Sequence, residues 1–426
     1  MCLNIMHDCA GWLLLLCTFS IPLMWNSIRG DTKVVHAIWF CLVLHHTVSY
    51  LNVYDPFGSS FLNVYIPDAS GFHGDAVGIA ELPEPVWRFT SAGFISGSII
   101  YTHSLGFLYS TFGPSHLFGK ELSVLAFALS CVVLVKLVDH LDLRRFRVGI
   151  VLLFGSLPSM VIFTSVTLRE PWQALFFLLS LYWTIRLWKR SGILNSLFLL
   201  MSVLCMSMMH YGLARYAVYL VVISVYWAIL SRKKNVRWAR HLRFLFAGIL
   251  IFCVIILTQK MGWYMSVEKA LENGTVMRRH LLEYTEVRTN FSFILDTSSM
   301  LGIVTTVPMV FVEYMFAPFP WQVENVKDLW ALLESILRFL LLFFAISSWR
   351  RSSGEVRSCY SFLLIAVLGM ELVWALGTAN WGTSVRHHVP GYGIIVLLGA
   401  PRLILFMQKL QFGIFGRGKD NTMLPK

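Results

Sequence analysis

The sequence predicts an all-α fold, a polytopic transmembrane helical bundle. Of its 426 residues 57% are hydrophobic and only 14% are charged, whereas a soluble domain carries about a quarter charged residues. Apolar runs of roughly 20 residues, the length a helix needs to cross the hydrocarbon core, recur along nearly the whole chain. The basic residues gather in short segments between those runs, as the positive-inside pattern requires. A water-soluble fold could not bury so much apolar surface.

Taken in order, spans are predicted near 11–28, 34–51, 117–138, 148–166, 171–188, 194–211, 213–230, 244–260, 332–348, 359–379 and 389–407. Met1 to Ala10 lacks a positive n-region, so the first run reads as a retained span and not as a cleaved signal. Two further stretches, 92–112 and 299–317, are interrupted by Gly, Pro, Ser or Thr and read as spans, re-entrant segments or interfacial helices. Charge bias arbitrates between these. The basic segments Arg29–Lys33, Arg144–Arg147, Arg186–Arg190, Arg232–Arg243, Arg350–Arg357 and Lys409–Lys419 share one side only if neither stretch crosses.

The outcome is one integral membrane domain over 1–426 with about eleven spans, or about thirteen if both stretches cross. Its amino terminus lies outside and its carboxy terminus in the cytoplasm. Two membrane-hugging loops face outward: 52–116, with interfacial helices, and 261–331, with a re-entrant or interfacial segment. The eight cysteines, among them Cys17, Cys41, Cys131, Cys205 and Cys253, fall mostly in apolar runs without a CxxC pair and read as packing residues. The net charge of +12 does not point to nucleic acid, because no basic face is interleaved with aromatics that could stack on bases. No internal repeat is evident, which weakens an inverted-repeat transporter.

The outer side should therefore carry the chemistry. Asp68, Phe72, His73, Asp75 and Ala76 stand in a short Gly-rich stretch. A carboxylate there can act as general base toward a hydroxyl, or ligate a divalent cation with imidazole help; a solvated turn would use the same residues. Further on, Pro158 and Ser159 precede Arg169, Glu170 and Pro171. Pro171 suits the first turn of a helix and Glu170 its electropositive end, but capping leaves Arg169 unexplained. Its guanidinium could grip a phosphate with two hydrogen bonds or snorkel to the headgroups.

His210, Tyr211 and Arg215 mark one tight outer turn, and Arg386, His387 and His388 precede the last span. Such interfacial cations are functional candidates, and a phosphate or diphosphate headgroup would account for both Arg clusters; anchoring to bulk anionic lipid is the alternative. Ala317–Trp321 reads as an aromatic interfacial anchor. Arg278, Arg279, Glu283, Glu286 and Arg288 read as a charge-balanced, solvated helix surface.

Together these positions resemble the GT-C superfamily of polytopic glycosyltransferases, in its bacterial branch related to the protein mannosyltransferases and lipid A aminoarabinose transferases. Asp68, Phe72, His73 and Ala76 match the spacing of that family's outer-loop acidic motif. Leu105 to Tyr109 followed by Phe112 and Gly113, Pro158 and Ser159 followed by Arg169 and Glu170, and Arg386 before Pro390 match later pieces. The resemblance covers 52–230 and the last two spans. Three features depart from it: an extra span precedes the acidic loop, a large soluble carboxy-terminal domain is missing, and only Asp75 accompanies Asp68 nearby in sequence.

The resemblance implies transfer of a sugar from a polyprenyl-phosphate or -diphosphate donor to a glycan, lipid or protein acceptor, outside a bacterial inner membrane. Asp68 would be the general base, and Arg169, Arg215 and Arg386 would neutralise the departing phosphate. Glu170, His210 and His387 would line the substrate, with His73 or Asp75 assisting through a hydrogen bond or a shared divalent cation. No other cofactor is implied. An O-antigen or exopolysaccharide polymerase or ligase is the alternative, and there Arg278, Arg279 and Arg288 would matter more than Asp68. A transporter or flippase of a lipid-linked or anionic solute is a second alternative. It would need ionisable residues along mid-span helices, whereas the sequence places nearly all of them at span ends.

Overall fold

The computed structural model describes residues 8–55, 66–82, 99–190, 192–230 and 288–415. Among these the chain is helical, without a β-strand; one isolated antiparallel bridge joins Asn290 to Asn380. Five helices are long and apolar enough to cross a membrane: α3 (Thr32–Tyr54), α6 (His116–His140), α13 (Val326–Arg351), α14 (Gly354–Gly377) and α16 (Val389–Phe415, apolar to Gln411). A bent pair, α7 (Arg147–Ser156) and α8 (Pro158–Thr164), makes a sixth if it counts as one span.

Local chemistry sets these boundaries. Asp31 accepts from Val34 N at 3.4 Å to open α3, and Ser115 accepts from Phe118 N at 3.0 Å to open α6. Asn325 and Asp328 form a reciprocal capping box at the start of α13, which satisfies two of the amide donors a helix start leaves free. Pro158 has no N–H to give and its ring crowds the preceding turn, so the span predicted at 148–166 bends by 62° between α7 and α8.

Proline also breaks the run predicted as a span at 11–28. It divides into α1 (Cys9–Thr18), a 3-10 turn (Ile21–Met24) that contains Pro22, and the short α2 (Asn26–Arg29). The runs at 171–188, 194–211 and 213–230 form α9 (Glu170–Lys189), α10 (Ile193–Ser207) and α11 (Tyr211–Leu230). Residues 244–260, 92–98, and Arg278 and Arg279 lie outside the described residues.

The Gly-rich stretch around Asp68 is a helix and not a turn. This α4 (Pro67–Ala80) has Pro67 at its first position and Asp68 in its first turn. It packs against α5 (Ile99–Phe112), and the two helices approach so closely that a Cβ on Gly106 would stand 2.6 Å from Ile79 Cγ2. The stretch at 299–317 forms α12 (Met300–Phe316), with Pro308 inside it and Ser299 as its cap. The last short helix, α15 (Trp381–His387), leads into α16.

The core forms where α6, α9, α13 and α16 meet, and most of α6 is buried. Contacts sort the helix ends into two groups. At one end Arg147 pairs with Asp139 and Asp31, Lys189 pairs with Glu355 at 3.4 Å and donates to His140 O, and Arg357 lies over Trp349. The basic segments near 144, 189 and 357 therefore share that end. At the other end Asp68, Glu170, His210 and Arg386 come together, as does Asp8, which accepts from Tyr54 and Ser115.

Candidate functional site

Four charged side chains from three distant stretches form one chain of ion pairs. Arg386 Nη1 donates to Asp68 Oδ2 at 2.5 Å across 318 positions of sequence. Arg386 Nε lies 3.2 Å from Glu170 Oε1, and Arg169 Nε lies 3.9 Å from that same oxygen. Arg169 also rests over the Phe72 ring at 5.4 Å, one helical turn beyond Asp68.

Each is placed by its local structure. Asp68 stands on the first turn of α4, Arg169 caps α9 and Glu170 opens it, and Arg386 lies in the last turn of α15. The α15 helix is in turn strapped down by residues 288–293. Phe291 N donates to Ala379 O at 2.9 Å and Trp381 N to Thr289 O at 3.0 Å. Arg288 donates to both carboxylate oxygens of Asp328 at 2.7 and 2.9 Å and lies over Trp381.

Burial separates the partners. The Asp68 side chain is 47% exposed, Arg386 14% and Glu170 2%. For Arg386 burial works to lower the guanidinium's pKa, but Glu170 and Asp68 together hold it above its ordinary value. For Arg169 burial wins, and the pKa falls despite Glu170. Both remain cationic at neutral pH.

Two imidazoles complete the inner wall. His387 stacks on Trp374 at 4.2 Å and shares a hydrogen bond with Thr378 at 2.8 Å; His210 packs on the same indole at 4.6 Å. Burial first, and then Arg386 and His210 beside it, push the His387 pKa well below the ordinary imidazole range.

Asp68, Arg169, Glu170, His210, Arg386 and His387 are thus brought together in one cluster. His73 lies on the same helix but belongs to a neighbouring group. It bonds Tyr109 at 2.8 Å and stacks on His116 at 3.7 Å, and burial with His116 and Lys120 nearby lowers its pKa to about 4. Asp75 is exposed, two turns along α4, and Arg215 is exposed on α11. The second carboxylate of the cluster is Glu170, from more than a hundred residues downstream, and not the sequence neighbour Asp75.

Among the described residues no group of three or more His, Cys, Asp or Glu is arranged to hold a metal ion. The two clustered carboxylates face a guanidinium instead.

Sequence reasoning missed two sets of residues. Gln173, one turn along α9 from Glu170, and Trp374, stacked on His387, lie beside the cluster. Deeper in the bundle, Glu371, Tyr314, Glu334, Arg338 and Tyr392 form a buried polar network with His388, which the sequence already marks as a candidate. His388 Nδ1 lies 2.7 Å from Glu371 Oε2, which accepts from Tyr314 Oη at 3.1 Å. Arg338 donates to Tyr392 Oη at 2.6 Å and to Met315 O at 2.7 Å, and Glu334 accepts from Ser159 N at 3.1 Å. His46 and Glu121 lie 2.7 Å apart in a second buried pair.

Ionisable groups therefore do not lie only at helix ends: Arg338 sits midway along α13. The signal was present in the sequence as Glu334 and Arg338 at i, i+4 inside one apolar run, where intramembrane charge marks a functional candidate.

Compared with known proteins, the chain matches no family model, no curated sequence and no solved structure.

Proposed function

We propose that the protein is a membrane glycosyltransferase of the GT-C type, moving a sugar from a polyprenyl-phosphate or -diphosphate donor to a glycan, lipid or protein acceptor outside a bacterial inner membrane. In this reading the chain crosses about eleven times, and the Asp68 end faces outward. The observation that carries the proposal is the Asp68–Arg386–Glu170–Arg169 chain. It sets a solvent-exposed carboxylate beside two fixed guanidinium groups at one end of an apolar bundle.

Glycosyl transfer needs that pairing. The acceptor oxygen forms its bond to the anomeric carbon as its proton passes to Asp68, and the bond from that carbon to the lipid phosphate breaks. The departing phosphate takes up charge, and fixed cations stabilise it most where it develops. Arg386 holds Asp68 in the present structure. A donor phosphate competes for the same guanidinium and frees a carboxylate oxygen for the proton. Replacing Asp68 by Asn keeps the size and removes the proton acceptor, so it should abolish transfer of a radiolabelled sugar from polyprenyl-linked donor to acceptor membranes while donor binding persists.

In the polymerase or ligase alternative Arg288 would act while paired with Asp328, beside Arg278 and Arg279, which lie outside the described residues. One observation does favour the transporter alternative: the buried network around Arg338 and Glu371. Reconstituted liposomes discriminate. Substrate crossing that stops in Glu371→Gln, with no sugar transferred, would favour transport.

A further inference from the structure

Beside Tyr101, whose hydroxyl is likewise buried without a partner, three side chains around the ion-pair chain carry polar atoms that are shut from solvent and have no hydrogen-bond partner among the described residues. They are Glu170 Oε2, both amide atoms of Gln173, and the indole Nε1 of Trp374. Glu170 and Gln173 are each 1% exposed and Trp374 is 4% exposed. Glu170 and Gln173 stand at i, i+3 on α9, which places their Cβ atoms about 5–6 Å apart. Trp374 stacks on His387, the residue after Arg386, whose Nε lies 3.2 Å from Glu170.

Folded proteins leave few buried polar groups unpaired, because each forfeits its solvation without return. Several in one cluster, just inside an exposed carboxylate, point to a ligand that supplies their partners. The chemistry of the set narrows the class. Glu170 Oε2 and Gln173 Oε1 only accept, while Gln173 Nε2 and Trp374 Nε1 only donate. A phosphate offers acceptors alone and would leave Glu170 unmatched and repelled. An ammonium offers donors alone. A hydroxyl both donates and accepts, so a row of hydroxyls on one ring matches the whole set.

We propose that Glu170, Gln173 and Trp374 form the subsite that recognises the hydroxyl groups of the sugar carried by the donor. This inference rests on the sugar-transferase reading and names the residues that select its substrate. Arg386 bonds Asp68 and Glu170 at once, so the Asp68–Arg386 pair stands next to this subsite. Hydroxyl recognition by buried polar groups discriminates strongly, because an analogue that lacks the hydroxyl leaves them unpaired again.

The test uses the full-length protein in lipid nanodiscs and measures binding of polyprenyl phosphate against polyprenyl phosphate carrying a hexose, a 6-deoxyhexose or a hexosamine. In wild type at least one sugar should raise affinity about tenfold or more over the bare lipid phosphate. Gln173→Leu and Trp374→Phe should reduce that gain to about twofold or less, with affinity for bare polyprenyl phosphate within about threefold of wild type. Thermal stability without ligand guards against a folding defect, since replacing an unpaired buried amide by an apolar side chain is neutral or stabilising.

Should no sugar add affinity in wild type, or should both variants retain the full gain, the cluster is filled by ordered water and the inference falls. If the variants lose the gain but wild type transfers no sugar to any acceptor, the subsite stands and the transferase reading fails. If wild type transfers sugar and both variants keep its choice among the three donors, the inference alone fails.

Discussion

Removing Arg386 separates two contacts that distance and burial rank in opposite order. By distance the Asp68 contact is the closer, 2.5 Å against 3.2 Å to Glu170. By burial the order reverses, because Asp68 is 47% exposed and Glu170 only 2%. An exposed pair is screened by water and contributes about 0.2–1 kcal/mol. A buried carboxylate that loses its partner costs about 3–5 kcal/mol. Arg169 stays 3.9 Å from Glu170 and compensates part of this, so we predict a loss of about 2–3 kcal/mol for Arg386→Ala, arising mainly at Glu170.

Double-mutant cycles on thermal unfolding in detergent isolate the two terms. Arg386→Ala combined with Glu170→Gln should show a coupling of about 2 kcal/mol, and combined with Asp68→Asn a coupling under about 1 kcal/mol. A larger coupling to Asp68 than to Glu170 would refute the argument that burial, and not separation, sets these energies.

Three further outcomes follow from the same geometry. His73 is held near 4 by burial beside His116 and Lys120, so the unfolded chain binds its proton more readily; stability should fall as pH drops from about 6.5 toward about 4, and a His73→Phe variant should flatten that slope in melting curves. If Arg288 acts by strapping α15, Asp328→Asn should reproduce the loss of transfer in Arg288→Ala, up to about 100-fold from misplaced Arg386; an Arg288 variant that is inactive beside a fully active Asp328→Asn would restore a direct role for Arg288. A Cβ on Gly391 would run into the Glu371 carboxylate, so Gly391→Ala should lower stability by about 1–3 kcal/mol, and a melting temperature equal to wild type would show that the network has room to shift.

Composition and apolar length made the helical membrane class legible, because a bilayer leaves helices as the backbone's way to pair its own polar groups. Run length did not reveal breaks. Pro22 and Pro158 interrupt stretches whose apolar content is continuous, and the Gly-rich segment after Asp68 folds as a helix because Pro67 starts it and α5 covers it. At the site, the residue types and their order were legible at Asp68, Arg169, Glu170 and Arg386. Which carboxylate accompanies Asp68 was not, because Asp75 is its sequence neighbour and Glu170 joins it only in the folded chain, through the shared Arg386. Gln173 gave no signal of its own; an amide in an apolar helix reads as a minor polar position until its partners are known. The network around Arg338 was legible, since Glu334 and Arg338 stand one turn apart inside a single apolar helix.

The central claim is that Asp68 accepts a proton from the acceptor as sugar leaves a lipid phosphate held by Arg386. Its most direct test is transfer of radiolabelled sugar from purified polyprenyl-linked donor to acceptor membranes by wild type, Asp68→Asn and Asp75→Asn, with donor binding measured in parallel. The account predicts that Asp68→Asn binds donor and transfers nothing, while the exposed Asp75→Asn behaves as wild type. Full transfer by Asp68→Asn, or loss confined to Asp75→Asn, would contradict it.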